Sequence, residues 1–180
     1  VKRAFGMFSS TSPNPILLAS LDAARKEMAI HGRDIIHEDL LLADYARKHL
    51  NQIPGIHVYG EEYVQRRNNS GVYALDGTKL VIETTRLGLY GYEVYKEIRK
   101  QSNIQLELGE VSVVLAIIGP GTTKEHVDCL IKAFALLSER FYDAGKVKEI
   151  PHYHYSYPKN LVSPRIAYDA PHRVVKIEDS

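Results

Sequence analysis

The sequence is poor in three features that would point to particular classes of protein. Its 180 residues include a single cysteine, Cys129, which excludes an internal disulfide and fits a reducing compartment. The formal net charge is only +1, so no strong field argues for nucleic acid or an anionic membrane as the main partner. The longest apolar runs, such as Val111–Ile118, are far shorter than the roughly 20 residues of a membrane-spanning helix. We therefore expect a soluble, cytoplasmic protein.

The composition and the N-terminus indicate a folded protein that belongs to a longer chain. Hydrophobic residues make up 44% and charged residues 25% of the sequence, as in globular domains. The length suits one domain, or a small domain with appendages. The chain begins Val1-Lys2-Arg3, without methionine and without an apolar signal core. We expect it to be the interior of a larger polypeptide.

Apolar residues at helical spacing predict helices in the first third of the chain. The first should cover residues 16–31, with Ser12 and Pro13 as its start signal, because a hydroxyl can cap a helix and proline tolerates the first turn. Gly32 interrupts the pattern. A second helix is predicted over residues 34–51.

Short strands and helices alternate after residue 54. The pattern predicts strands at 56–59, 79–85, 104–108 and 112–118, and helices at 91–101 and 123–142, the last begun by a capping box of Thr122 and Glu125. This order predicts an α/β fold in which helices pack on a small mixed sheet. From about residue 146 the patterns fail, and tyrosines and prolines indicate an extended segment that crosses another surface.

Three stretches of the sequence occur in the order that one enzyme family shows. Thr11-Ser12-Pro13 precedes the first helix, Leu87–Glu93 reads Leu-Gly-Leu-Tyr-Gly-Tyr-Glu, and Ser163–Tyr168 reads Ser-Pro-Arg-Ile-Ala-Tyr. With them the chain resembles, from Phe8 to its end, the C-terminal part of bacterial ornithine/lysine/arginine decarboxylases. These enzymes hold pyridoxal phosphate (PLP) on a lysine in a Ser-x-His-Lys segment, and no such segment occurs in this sequence.

The resemblance implies an aspartate-aminotransferase-like fold. Residues 1–32 would end the large PLP-binding domain, 33–145 would form the small α/β domain, and 146–180 would lead, extended, into a C-terminal extension. The implied reaction is decarboxylation of a basic amino acid, arginine or lysine rather than ornithine, which releases CO2 and a polyamine-type amine. The catalytic lysine would lie outside this chain, so we expect the chain alone to contain no catalytic residue and to be inactive.

Two cofactor contacts and one weaker substrate contact follow from the resemblance. Thr11 and Ser12 would contact the PLP phosphate of a neighbouring subunit, so the protein would be at least a dimer; without the resemblance, helix capping would be the simpler explanation. Glu107 matches a family glutamate near the active site and is a candidate substrate contact. Equally, Glu107 can be a polar residue on a half-buried strand.

Other residue patterns have structural explanations. His152 and His154 alternate with tyrosines, but no reliable third ligand accompanies them, so we predict interface packing and no metal site. Cys129 is expected to be a buried, inert thiol beside the apolar stripe of the last helix. Asp76 is expected to form a turn. The stretch Gly119–Lys124 lacks the residue order of a phosphate-binding loop.

Three functional classes stay open at this point. The chain can be part of a decarboxylase, whose partners would be a basic amino acid, the rest of the polypeptide and a second subunit. It can be a non-catalytic binding or regulatory protein derived from the small domain. It can also be an unrelated α/β domain with chance matches to the three motifs.

Overall fold

A computed structural model describes residues 2–9, 12–65, 72–151, 156, 158–171 and 173–179. The chain forms two compact units, Val1–Ile150 and Pro151–Ser180. In the first unit the helices are α1 (Lys2–Phe8), α2 (Pro15–Leu50), α3 (Glu62–Gln65), α4 (Gly91–Ser102) and α5 (Lys124–Phe141), and the strands are β1 (His57–Val58), β2 (Lys79–Glu83), β3 (Leu108–Gly109) and β4 (Val113–Ile117). The second unit contains α6 (Pro164–Asp169). The α/β prediction is confirmed at this level.

One helix replaces the two that the sequence predicts in the first third. α2 runs without interruption for 36 residues, so the predicted break at Gly32 is wrong. A glycine inside a helix costs only about 1 kcal/mol relative to alanine, which the rest of a long helix outweighs. Gly32 is buried, and a Cβ there would lie 3.2 Å from the Cε of Met28. The missing side chain therefore leaves room for Met28 rather than ending the helix.

The start of α2 also differs from the prediction. Asn14 caps the helix, since its Oδ1 accepts a hydrogen bond from the Ile16 amide at 2.9 Å, and Pro15 occupies the first turn. Ser12 lies two residues earlier, in a bend, and is exposed. An asparagine caps as well as a serine does, and proline is favoured at the first helical position. The Asn14-Pro15 pair therefore takes the role that the sequence analysis gave to Ser12 and Pro13.

The sheet is antiparallel throughout, with strand order β1-β2-β4-β3. β2 and β4 form its centre and pair over five residues, from Lys79 opposite Ile117 to Glu83 opposite Val113. β3 returns into β4 through a short turn and pairs with its outer edge. Since every neighbouring pair runs in opposite directions, the predicted mixed sheet is wrong. Three of the four predicted strand regions contain a strand, and the fourth, 104–108, overlaps β3 only at Leu108.

The core lies between one face of the sheet and the helices. Along β2 and β4 the buried side chains alternate with more exposed ones, as expected of a sheet covered on one face. The wholly buried part of the core consists of Ala43, Ala46 and Leu50 from α2, Val58, Leu80, Ile82 and Val114 from the sheet, Val94 from α4 and Phe134 from α5. The predicted apolar stripe of the last helix is confirmed.

The capping box of α5 lies one residue later than predicted. Thr123 is the capping residue: its hydroxyl accepts from the His126 amide at 3.4 Å, and His126 Nδ1 accepts from the Thr123 amide at 3.2 Å. Thr122 instead closes the preceding turn, because its hydroxyl accepts from the Gly119 amide at 3.1 Å. That turn connects β4 to α5, so a structural explanation of Gly119–Lys124 holds.

The predicted extended C-terminal segment contains a short helix. Ser163 caps α6 by accepting a hydrogen bond from the Ile166 amide at 3.3 Å, and Pro164 occupies the first turn. The motif Ser-Pro-Arg-Ile-Ala-Tyr is therefore a helix start, which the sequence analysis missed. The other described residues of the second unit form no strand, and their side chains are exposed.

The glycines of the Leu87–Glu93 motif have two different structural roles. Gly88 adopts a left-handed conformation (φ +74°) after a 3-10 turn at Thr85–Leu87. Gly91 begins α4 against the β3–β4 turn, where its amide donates to Val111 O at 3.1 Å. A Cβ on Gly91 would lie only 2.0 Å from Val113 O and 2.5 Å from Glu110 O. The close approach of α4 to the sheet therefore requires glycine at position 91.

α2 buries a carboxyl group, that of Asp39, with one unpaired oxygen. Asp39 is only 4% exposed, and its Oδ2 has no hydrogen-bond partner. Burial raises the pKa of this carboxyl above its ordinary value of 3.8, and the neighbouring charge of Glu38 adds to the effect. Keeping Asp39 ionised thus costs the folded state free energy.

We expect Gly91→Ala to destabilise the first unit by about 3 kcal/mol, the upper end of the range for overpacking, because the new methyl group collides with two fixed carbonyl oxygens. The measurement is urea unfolding followed by circular dichroism. Gly119→Ala is the matched control, since a Cβ at Gly119 meets nothing within 4 Å. Equal effects of the two substitutions would contradict the proposed role of the close approach.

We expect Asp39→Asn to stabilise the protein increasingly as the pH rises above 3.8. In the wild type the raised pKa means that the folded state binds a proton more tightly than the unfolded state. Its stability therefore falls as the pH rises through the folded-state pKa, and the amide abolishes that loss. Thermal unfolding of both proteins between acidic and neutral pH measures the difference. Asp34→Asn, an exposed position of the same helix, shows the effect of removing a charge alone. A difference that does not change with pH would refute the assignment.

Candidate functional site

The two predicted phosphate contacts precede α2. Thr11 lies outside the described residues. Ser12 is exposed and does not cap α2, because Asn14 does. No acidic residue occurs in the first turn of this helix. The Ser12 hydroxyl is therefore accessible beside a helix N-terminus that carries no competing carboxylate.

Glu107 lies immediately before the short strand β3. Its backbone amide donates to Leu115 O at 2.9 Å, which fixes its position at the edge of the sheet. The Glu107 side chain is exposed and follows the buried Leu106, as expected of a polar residue on a half-buried strand, and its role as a substrate contact stays a prediction. Among the described residues, no hydrogen bond or ion pair joins Glu107 to Ser12. In the described part of the chain, these two predicted site residues are therefore not linked by a polar contact.

The Leu87–Glu93 motif holds a lysine from the end of the first unit. Lys148 Nζ lies 4.3 Å from the centre of the Tyr90 ring and 3.5 Å from Glu93 Oε2, and its backbone amide donates to Thr85 O at 2.8 Å. Glu93 Oε2 also accepts from the Tyr90 amide at 2.8 Å. The motif thus positions the chain that leads to the second unit, which the sequence alone did not reveal.

A cavity of about 410 Å³ opens between the end of β4 and the start of α5. Its floor is apolar and includes Leu106, Ile118 and Leu130, while Gln105 and His126 are polar residues of its lining. Its volume falls within the range of small-molecule pockets. No fixed motif marks such a cavity, and the sequence analysis did not find it.

An aromatic and acidic cluster lies at the β1 edge of the sheet. The rings of Tyr59 and Tyr63 meet edge to face at 4.4 Å, and His57 lies 5.2 Å from Tyr59. His57 Nε2 is 3.6 Å from Glu62 Oε1. Burial, followed by the nearby charge of Glu83, raises the pKa of Tyr59 to about 12. Tyr59 therefore stays protonated near neutral pH and acts as a hydrogen-bond donor, not as a base.

A polar contact ties α2 to α5. Tyr45 OH donates to Asp128 Oδ1 at 2.9 Å, and Lys124 Nζ donates to Asp128 Oδ2 at 2.7 Å. The hydrogen bond from Lys124 lowers the pKa of Asp128 most, and the hydrogen bond from Tyr45 adds to this effect.

The neighbouring Cys129 is exposed, so the prediction of a buried thiol is wrong. Cys129 is two residues, or about 200°, beyond the buried Val127 and faces outward.

The described residues contain no group of three or more side chains that could hold a metal ion. His152 and His154, the pair considered from the sequence, lie outside them. Over the same part of the chain, no helix is long and apolar enough to cross a membrane.

Comparison with known proteins gives one consistent result. The chain is similar to stretches of three proteins named arginine decarboxylase. The identity is 36% over 182 residues in Halalkalibacterium halodurans, covering 100% of this chain and 36% of that protein. It is 38% over 140 residues in Bacillus subtilis, covering 78% and 28%, and 30% over 181 residues in Bacillus cereus, covering 100% and 39%.

The chain spans about a third of the length of these curated relatives. No family model and no solved structure matches it. The similarity supports the resemblance to basic amino-acid decarboxylases that the three motifs indicated. The chain is thus homologous to one part of proteins that bear the name arginine decarboxylase.

Proposed function

We propose that this chain is part of a PLP-dependent arginine decarboxylase, which converts arginine to CO2 and a polyamine-type amine. The observation that carries the proposal is the similarity, over the whole chain, to proteins named arginine decarboxylase. Those names favour arginine over lysine, and the resemblance had left these two substrates open. The chain would form the end of a large PLP-binding domain and the small domain of an aminotransferase-like fold.

The residues before α2 suit a phosphate group. An exposed hydroxyl at Ser12 stands near the N-terminus of a 36-residue helix whose dipole favours an anion, and no carboxylate in the first turn opposes it. Thr11, beside it, would be the second contact. When bound, PLP supplies the electron sink that decarboxylation requires. In this proposal, the chain itself binds the phosphate and orients the cofactor.

The substrate contact and the assembly extend the same proposal. The exposed carboxylate of Glu107 would accept a hydrogen bond from the cationic group of arginine. Because Glu107 is not joined to Ser12 within the described chain, the two would serve sites completed by other parts of the polypeptide and by a second subunit. We therefore propose at least a dimer in the cytoplasm, with the catalytic lysine outside this stretch.

A non-catalytic role is the second candidate. The absence of a Ser-x-His-Lys segment from the sequence and the cavity of about 410 Å³ are compatible with a binding or regulatory protein derived from the small domain. The reading frame that encodes this chain separates the two ideas. A frame that carries Ser-x-His-Lys upstream of Val1 supports the enzyme, and a nearby start codon supports the regulatory protein.

We expect the 180-residue chain to release no CO2 from arginine even with excess PLP, because it lacks the Schiff-base lysine. The complete polypeptide expressed from its reading frame should release CO2 in a PLP-dependent manner. The measurement is release of labelled CO2 from carboxyl-labelled arginine, with lysine as the competing substrate. Activity of the short chain alone would contradict the proposal, and so would a complete polypeptide that prefers lysine.

In the complete polypeptide, we expect Thr11→Ala or Ser12→Ala to weaken PLP binding by roughly 10- to 100-fold, since each removes a hydrogen bond to a charged group. The PLP dissociation constant is measured from the cofactor's absorbance. Ser9→Ala is the control, because the Ser9 hydroxyl already donates to Phe5 O at 2.6 Å. Unchanged affinity in both variants would remove these residues from the cofactor site.

A further inference from the structure

The cavity between the end of β4 and the start of α5 is enclosed by three segments of the first unit. Leu106 precedes β3, Ala116 and Ile118 come from the end of β4, and Val127 and Leu130 lie on α5. Each of these five residues is at most 5% exposed, so all belong to the hydrophobic core. Close packing holds core side chains in fixed positions. The depth of the cavity is therefore a fixed, aliphatic part of the fold.

A tight turn forms one side of the cavity mouth. The Thr122 amide donates to Gly119 O at 2.8 Å, Pro120 is the second residue of the turn, and Gly121 is the third, with φ +95°. These are the hydrogen bond and the residues of a type II β-turn. The Thr122 hydroxyl closes the turn a second time by accepting from the Gly119 amide at 3.1 Å. Because proline fixes its own φ angle, this side of the mouth is formed before any ligand binds.

The glycines of the turn keep the mouth open. Gly119 and Gly121 both line the cavity, and a Cβ at either position would meet nothing within 4 Å. The Gly-Pro-Gly stretch thus provides a rigid edge and leaves space beside it. This role differs from that of a phosphate-binding loop, whose residue order the stretch lacks.

The capping box of α5 gives His126 a defined hydrogen-bond donor. His126 Nδ1 accepts from the Thr123 amide at 3.2 Å, so Nδ1 carries no hydrogen. In a neutral imidazole the hydrogen is then on Nε2. Within the described part of the chain, this Nε2 has no hydrogen-bond partner. His126 thus provides a free N–H donor in the lining of the cavity.

Gln105 supplies an acceptor in the same lining. Its Nε2 donates to Tyr95 OH and, at 3.1 Å, to Leu106 O, which fixes the orientation of the amide group. The carbonyl oxygen Oε1 has no protein partner among the described residues. One donor and one acceptor are therefore available beside an apolar floor.

The lining carries no formal charge. Among the described residues that form it, none is Lys, Arg, Asp or Glu. A charged ligand would lose its hydration there without gaining an opposite charge, whereas a neutral ligand needs only its hydrogen bonds replaced. The cavity is therefore complementary to an uncharged molecule.

The volume and the two hydrogen-bonding groups define the ligand further. A volume of about 410 Å³ lies in the lower part of the range for small-molecule pockets, which combine an apolar surface with a few placed polar groups. We propose that the cavity binds a neutral small molecule in which an apolar ring carries an amide-like group. The ring lies against Leu106, Ile118 and Leu130, the carbonyl accepts from His126 Nε2, and the N–H donates to Gln105 Oε1. This proposal does not depend on decarboxylase activity, since every lining residue belongs to the first unit.

Benzamide is the probe, because it consists of one apolar ring and one amide group. Its dissociation constant, measured by ligand-detected NMR titration, should be on the order of 1 mM for so small a molecule, in the 180-residue chain and in the complete polypeptide alike. Benzoate has nearly the same shape and a negative charge, so it should bind at least about 10-fold more weakly. In the 180-residue chain, the backbone amide resonances that shift with benzamide should belong mainly to lining residues.

Two variants assign the hydrogen bonds. His126→Glu removes the N–H donor and keeps the helix cap, because glutamate is favoured at this position of a capping box. It should weaken benzamide and methyl benzoate alike, by roughly 3- to 10-fold. Gln105→Leu removes the acceptor, so it should weaken benzamide by a similar factor and leave methyl benzoate, which has no N–H, unchanged. Cys129→Ser is the control, since Cys129 is exposed on α5 and outside the lining.

Several results would overturn the proposal. One is the absence of saturable benzamide binding by the 180-residue chain, and another is equally tight binding of benzoate. Full benzamide affinity in both lining variants would place the binding elsewhere. Binding by the 180-residue chain but not by the complete polypeptide would show that another part of the protein fills the cavity.

CO2 release from arginine, measured in parallel, separates this proposal from the proposed function. A complete polypeptide that binds benzamide in the cavity but releases no CO2 would contradict the function and leave the ligand site standing. An active polypeptide that does not bind benzamide would do the reverse.

Discussion

The packing of the C-terminal half of α2 on the sheet and on α5 is the interaction on which the first unit depends. Ala43, Ala46 and Leu50 are completely buried there, and two of the three are alanines, so the helix backbone can approach its neighbours closely. Tyr45 adds a directed hydrogen bond to Asp128 across the same contact. On the opposite side of this core lies the apolar face of the sheet, which every second residue of β2 and β4 forms. Removing α2 would uncover the side of that face that lies at β1 and β2, whereas α4 still contacts β3 and β4.

Much of the secondary structure could be predicted, because its signals are local. The residues of β4 and the apolar stripe of α5 showed the right periodicity, and both elements are present. The errors arose where the rest of the structure outweighs the preference of a single residue or segment. Gly32 does not break α2, because the helix on either side of it outweighs one unfavourable residue. Strand direction was also mispredicted, since it depends on which strands meet in space rather than on any one strand's sequence.

The candidate site could be predicted less well, for a different physical reason. Ser12 and Glu107 came from resemblance to a family, and the structure adds their exposure but does not join them. The chain spans about a third of these relatives, and in the proposed function other segments complete the site. The cluster around Tyr59 was missed because it forms only when β1 and α3 bring Tyr59, His57 and Tyr63 together. The cavity near His126 likewise needs the sheet and α5 in place.

The unpaired Oδ2 of Asp39 has a consequence for how the protein responds to its surroundings. A group that reaches Oδ2 in the folded state, but finds no such site in the unfolded chain, shifts the folding equilibrium by mass action. The melting temperature would then rise with the concentration of that group and report its dissociation constant. Through Asp39, which weakens the fold by itself, any such donor would thus be linked to the stability of the whole first unit.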